Sequence, residues 1–256
     1  MKASLNIVKV GGKVVEDDSS LNSLLTAFCS IKGNKILVTG GGRTATKMAS
    51  ELGIESLMID GRRITDEPML RIVTMVYAGL VSKNVVAELQ ARGINAIGLC
   101  GADLDMVRCT RRPAGKIDYG FVGDVVAINT KAIRTLIDSG AVPVFCPITH
   151  DGTGQLLNTN ADTIASSLAS ALATGYDVTL TYCFEKNGVL SDPDDDGSVI
   201  KEIRKDKYKE LLENEIISGG MIPKIDNAFA AIDAGVNKVV ITNAENLGKD
   251  SGTEIL

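Results

Sequence analysis

The chain has 256 residues, enough for one large α/β domain or two closely packed lobes with a sizeable core. Hydrophobic residues make up 45% and charged residues 23%, which excludes a disordered chain. The formal net charge is −5, with acids and bases interspersed and no basic tract or aromatic-plus-basic stripe, so nucleic acid is not an expected partner. Five cysteines, Cys29, Cys100, Cys109, Cys146 and Cys183, include no C-x-x-C pair and read as reduced thiols in a reducing compartment. No run approaches the roughly 18 apolar residues of a membrane span, and an apolar run entered by Leu5 leaves no room for a signal peptide, so cytoplasm and no membrane partner are the expectation.

Residues 4–10 are β-rich and apolar and end in Gly11-Gly12, which predicts a buried strand entering a tight turn. Helical spacing follows over 21–31, a second strand over 35–38, and a helix from Thr39-Gly-Gly-Gly42 to about Leu52. This β-α-β-α order argues for a mainly parallel sheet covered on both faces. Residues 66–92 predict one long helix with Thr65 as its N-cap and Asp66 and Glu67 in its first turn. A strand over 96–99 precedes short alternating runs over 105–128, which predict hairpins. A helix over 130–139 ends at Gly140, and a strand occupies 141–146. Beyond the Asp151-Gly-Thr-Gly154 turn come a strong helix over 161–174, a strand over 178–184 and a polar loop over 187–197. Helices over 207–214 and 223–234 and a strand over 238–242 complete the pattern, with a lobe boundary expected near 147–151.

Four segments carry chemistry. Lys9 stands in an apolar strand, where lysine is unusual, and the ligand end of an open α/β sheet lies at strand carboxyl termini. Gly11-Gly12 beside it lets backbone amides approach an anion. Thr39-Gly-Gly-Gly-Arg43 opens a helix and offers amides at its positive end, though it matches neither a Walker A loop nor a dinucleotide fingerprint. In Asn158-Thr-Asn-Ala-Asp162, Asn160 is an expected N-cap and Asn158 a group for a ligand amide or carboxylate. Lys224 lies at a helix start, where its charge opposes the dipole, and such conflicts mark functional positions.

Together with Asp60-Gly-Arg-Arg-Ile-Thr65 and Phe121-Val-Gly-Asp-Val125, these segments resemble the amino acid kinase superfamily, and within it the acetylglutamate kinases. The resemblance covers nearly the whole chain. It implies a three-layer αβα sandwich with a mainly parallel central sheet, residues 1–150 binding an acylated amino acid and dimerising, and 151–256 binding ATP. The implied reaction is ATP-dependent phosphorylation of the γ-carboxylate of N-acetyl-L-glutamate, or N-succinyl-L-glutamate, in arginine biosynthesis. Lys9 and Lys224 would then stabilise the transferring phosphoryl group, and Asp162 would orient both lysines. Gly41, Gly42, Arg63, Asn158 and Asn160 would hold the acylated substrate, with Arg63 a bidentate clamp on its α-carboxylate. Gly11, Gly12, Glu185, Gly188, Ile217 and Ser218 would meet the nucleotide. Mg²⁺ would be carried on the ATP phosphates, with no protein metal site. A γ-carboxylate, with a reference pKa of about 4.3, is already ionised at neutral pH and needs no general base, so His150 has no assigned role.

Thr39 stands where the family has histidine, and Cys183-Phe-Glu-Lys-Asn-Gly188 replaces its usual nucleotide loop, with Glu185 in place of aspartate. Arg62 stands where the family often has an apolar residue and reads either as solvated or as a partner for an extra substrate carboxylate. The family's N-terminal helical extension is not seen, which implies a homodimer without arginine feedback. Asp192-Pro-Asp-Asp-Asp-Gly197 begins like a calcium loop, but Ile203 falls where the bidentate glutamate is required. Arg111-Arg112 reads as a solvated pair in a hairpin loop. A non-catalytic nucleotide or amino-acid sensor and another enzyme of the superfamily remain alternatives; a nicotinamide oxidoreductase lacks its glycine fingerprint.

Overall fold

A computed structural model describes residues 2–59, 61–217, 221–249 and 251–256. The chain divides into two compact units: Met1–Lys35 with Ala165–Leu256, and Ile36–Ile164. The expected boundary near 147–151 is therefore displaced to the start of the 161–172 helix, and the first 35 residues join the C-terminal part. Strand pairing explains this second correction: residues 3–10 are hydrogen-bonded along their whole length to a strand at 176–183, a partner that local patterning cannot name.

In the first unit, β1 (Ala3–Val10) and β11 (Tyr176–Phe184) run parallel, and β13 (Lys238–Asn243) lies parallel to β11. The antiparallel β14 (Thr253–Ile255) and the short β12 (Glu202–Ile203) extend this edge. Leu5, Ile7, Val8 and Val10 are buried, the near-continuous apolar run of a strand packed on both faces. Helices α1 (Gly12–Glu16) and α2 (Asp18–Ser30) follow β1. Asp17 caps α2, its carboxylate accepting from Ser20 N at 2.7 Å. At the other end the buried Lys35 ammonium donates to the carbonyls of Phe28, Cys29 and Ile31 at 2.9–3.1 Å and lies 5.3 Å from the Phe28 ring. A cation here satisfies orphan carbonyls and complements the helix dipole. Helices α8 (Lys205–Glu213) and α9 (Ile222–Asp233) complete the unit, each within two residues of the spans predicted from sequence.

In the second unit, β2 (Asn34–Val38), β8 (Val142–Phe145) and β5 (Ala96–Leu99) form parallel neighbours. A separate sheet joins β10 (Leu156–Asn158), β9 (Ile148–His150), β6 (Val107–Arg111) and β7 (Gly123–Ile128), and β3 (Met58–Ile59) pairs with β4 (Arg62–Arg63). Its helices are α3 (Gly42–Glu51), α4 (Glu67–Thr74), α5 (Ser82–Ala91) and α6 (Thr130–Asp138), and α7 (Ala161–Leu172) starts at its end. These parallel sheets with intervening helices are the α/β class expected from sequence.

The predicted helix over 66–92 is present, but Met75–Val81 between α4 and α5 winds as a π-helix. Its N-cap is Asp66, whose Oδ1 accepts from Met69 N at 2.9 Å, and not Thr65 as expected. Thr65 is instead drawn into bridge pairing with Gly120, its carbonyl accepting from Phe121 N at 2.7 Å. A Cβ on Gly120 would overlap Thr65 O, and the residue sits at φ +72°, so glycine is required there. Glu67–Ala91, 25 residues, is long and apolar enough to cross a membrane by length and composition, contrary to the sequence reading. Met69, Ile72, Val73, Val76, Val85 and Leu89 are buried within the unit, as expected of a core helix. All five cysteines are free thiols.

Candidate active site

Two groups of predicted residues come together, one in each unit. In the second unit, β2 delivers the chain into the glycine turn and α3. Thr39 is fully buried, its N–H and hydroxyl both directed to Phe145 O at 2.8 and 3.3 Å, so the residue that replaces the family's histidine is held by β8. Gly41 precedes α3 and accepts from Ala45 N at 3.0 Å. A Cβ at Gly41 would stand 2.9 Å from Tyr77 Cδ1 and 3.2 Å from Val81 Cγ2, so the absence of a side chain lets the turn lie against the π-helical segment. Gly42 has only ordinary clearance.

A cavity of about 160 Å³ opens beside this turn, lined by Gly40–Gly42, Arg62, Arg63, Tyr77, Asn158 and Asn160 among others. All five predicted substrate residues, Gly41, Gly42, Arg63, Asn158 and Asn160, therefore line one cavity. Arg63 is 6% exposed. Its Nη2 donates to Gly42 O at 2.7 Å and Thr46 Oγ1 at 3.0 Å, and its Nη1 donates to Ser56 Oγ. Three of its five N–H donors are thus committed, including both on Nη2. Either paired edge of a guanidinium includes Nη2, so in this arrangement the donors left over, on Nε and Nη1, do not form a parallel pair.

Asn158 ends β10 and donates from Nδ2 to Thr65 Oγ1 at 3.0 Å. Asn160 Oδ1 caps α7, accepting from Asp162 N at 2.8 Å and Thr163 N at 3.2 Å, as its position predicts. Asp162 lies in the first turn of α7. Burial, and then the neighbouring Arg112 charge, lowers the Arg62 pKa from its ordinary value. Arg112 is not a solvated loop residue: it reaches Asp124 from Nε at 3.1 and 3.2 Å and also from Nη2, and it stacks over Tyr119 at 5.7 Å. Sequence reasoning missed Tyr77, whose place in the cavity depends on where a helix turn points.

In the first unit, Lys9 lies half-buried near the carboxyl end of β1, opposite Tyr182 in β11. Burial pushes the Cys183 thiol up to about 12 against the pull of the Lys9 charge. Gly11 N donates to Cys183 O at 3.0 Å, so this amide is occupied by the fold and not offered to phosphate. Gly12 opens α1. Glu185 meets Lys13 at 3.0 Å on the rim of a cavity of about 210 Å³ that also includes Ser19, Ser20, Phe184 and Asn243. Sequence reasoning missed Lys13. Gly188 is buried: a Cβ there would approach Val199 Cγ1 at 2.7 Å and Thr253 Oγ1 at 2.8 Å, so packing explains this glycine without a nucleotide. Ile217 is also buried, its N–H on Leu211 O at 3.2 Å. Lys224 lies in the first turn of α9. Ser218, like Asp60 of the Asp60–Thr65 motif, lies outside the described residues.

The sequence profile of the Amino acid kinase family matches residues 4–243. The chain belongs to the amino acid kinase family. It is 58% identical to the acetylglutamate kinase of Phocaeicola vulgatus, over 100% of this chain and 99% of that protein. With the acetylglutamate kinase of Methanopyrus kandleri it shares 38% identity over 97% and 99% of the two chains. Among solved structures, a carbamate kinase from Giardia lamblia bound to AMP-PNP superimposes with a TM-score of 0.67 at 15% identity, covering 100% and 98% of the chains, which shows the shared amino acid kinase fold.

Proposed function

We propose that this amino acid kinase family member phosphorylates the γ-carboxylate of N-acetyl-L-glutamate with ATP, forming an acyl phosphate in arginine biosynthesis. The observation that carries the reading is 58% identity along the full length of a relative named acetylglutamate kinase. The Arg63–Asn158 cavity supports it, because a small pocket with one buried guanidinium in its wall suits a compact carboxylate substrate. The γ-carboxylate attacks as the anion it already is, so catalysis reduces to alignment and charge stabilisation. Lys9 and Lys224 stabilise charge on the migrating phosphoryl group, and Asp162 orients them. Gly12, Lys13 and Glu185 meet the nucleotide.

Among the described residues no group of three or more His, Cys, Asp or Glu side chains could hold a metal. Mg²⁺ would be held by the ATP phosphate oxygens. When bound there it would neutralise phosphate charge. We place the protein in the cytoplasm as a homodimer. Met75 and Leu80, 54% and 45% exposed on the long helix, support a self-association surface in the second unit.

A second reading concerns the acyl group. Arg62 in the cavity wall supports a substrate with an additional carboxylate, N-succinyl-L-glutamate. ADP release measured in parallel with acetylglutamate, succinylglutamate, glutamate, aspartate and carbamate tests both. Turnover of an acylglutamate is expected; ATP binding with turnover of none of the five would favour a sensor. If Arg62→Leu left the succinyl-to-acetyl ratio unchanged, the second reading would be dropped.

A further inference from the structure

A cavity of about 820 Å³ in the first unit belongs to neither group of site residues. Its floor is the middle of three parallel strands, where Asn6 pairs with Thr179, Thr179 with Lys238 and Thr181 with Val240. Asn6 and Lys9 are three residues apart on β1, and side chains alternate along a strand, so this floor is the opposite sheet face from Lys9. Parallel sheets are ordinarily covered on both faces by apolar packing. Here Asn6, Thr179, Thr181 and Thr242 stand on the cavity floor beside Val240. Asn6, Thr179, Thr181 and Thr242 make no side-chain hydrogen bond to any described residue. Thr242 is 1% exposed and its Oγ1 lies beneath Gly252, a hydroxyl withdrawn from water without a partner among the described residues.

Charge gives the ligand its sign. Lys32, Lys201 and Lys249 line the cavity with no ion-pair partner among the described residues. The lining acids are already engaged, Glu254 with Lys238 at 2.8 Å and Glu202 with Arg204. No described lining residue is aromatic, so a nucleobase has no stacking platform.

We propose that this cavity is a second small-molecule site for a hydroxylated phosphate ester of the sugar-phosphate class. Lysines at the rim take the phosphate, and threonine hydroxyls and the Asn6 amide take the ligand's hydroxyls. The site is independent of the proposed phosphoryl transfer.

Calorimetric titration of the full chain with glucose 6-phosphate, ribose 5-phosphate and glycerol 3-phosphate tests this, with glucose and inorganic phosphate as single-group arms. Saturable binding of at least one ester, tighter than either arm, is expected. The double variant Lys201→Ala/Lys249→Ala should weaken it about tenfold or more, a loss of about 1.4 kcal/mol. Thr181→Val should weaken it several-fold, while ATP-dependent turnover without the ester stays at the unmodified level in all these variants. Lys9→Ala should leave ester binding unchanged. No saturable binding by any of the three esters overturns the proposal. So does inorganic phosphate binding as tightly as the best ester, binding that survives the double lysine substitution, or binding lost in Lys9→Ala, which would place the anion in the nucleotide region.

Discussion

Arg63→Leu separates what this guanidinium does for the fold from what it does for a substrate. The bond from Nη2 to Gly42 O, 2.7 Å long, fixes the glycine turn, while Thr46 is exposed and Ser56 half-buried, so water replaces those two bonds. One charge-assisted hydrogen bond is worth about 1.5–3 kcal/mol, and the substitution should lower stability by about 2 kcal/mol in urea denaturation. On the proposed function the substrate carboxylate would meet the Nε or Nη1 donor singly, because both Nη2 hydrogens are taken. Losing one charged contact of about 1.5–3 kcal/mol should reduce kcat/KM for the acylglutamate roughly 10- to 150-fold, with the KM for ATP unchanged. Steady-state kinetics at saturating ATP measure this. A loss of about 10⁴-fold or more would refute the single-contact geometry, and a loss under about twofold would remove Arg63 from substrate binding.

Gly41→Ala places a methyl group 2.9 Å from the Tyr77 ring; overpacking should cost about 1–3 kcal/mol in denaturation and raise the substrate KM, and an unperturbed variant would contradict the packing. Lys35→Met removes the donor to three carbonyls ending α2 and should destabilise by about 1.5–3 kcal/mol; burial lowers the pKa of this lysine, and a more stable variant would show that burial outweighs its bonds. Asp105 hydrogen-bonds Arg108 and lies 2.8 Å from His150 Nε2, and chiefly the Arg108 bond lowers its pKa. Because the folded pKa is depressed, its stabilisation is present above the unfolded value of about 3.9 and disappears as pH falls through the folded value. The stability gap between the unmodified protein and Asp105→Asn should therefore close in acid, and a gap constant down to about pH 2 would exclude the carboxylate as its source.

Much of the fold was legible in local pattern. Apolar runs placed β1, β5 and β13 within two residues of their ends, and Asn160 was recognisable as a cap because capping uses only neighbours. Thr65 was misread as a cap because bridge pairing with Gly120, 55 residues away, claimed it and left the role to Asp66. Gly188 and Gly120 look alike in sequence to glycines that admit a ligand; what crowds them, Val199 and Thr253 for one and Thr65 for the other, is set by distant chain.

The order of motifs determined by itself which residue types this protein carries and in what succession. Tertiary structure alone decided their freedom to act. Gly11 keeps its glycine but gives its amide to Cys183, and Arg63 keeps its charge but surrenders its fork to Gly42 and Thr46. The physical reason is that a donor's availability depends on partners brought from elsewhere in the chain, and a buried hydrogen-bonding group takes whichever partner the fold places within reach.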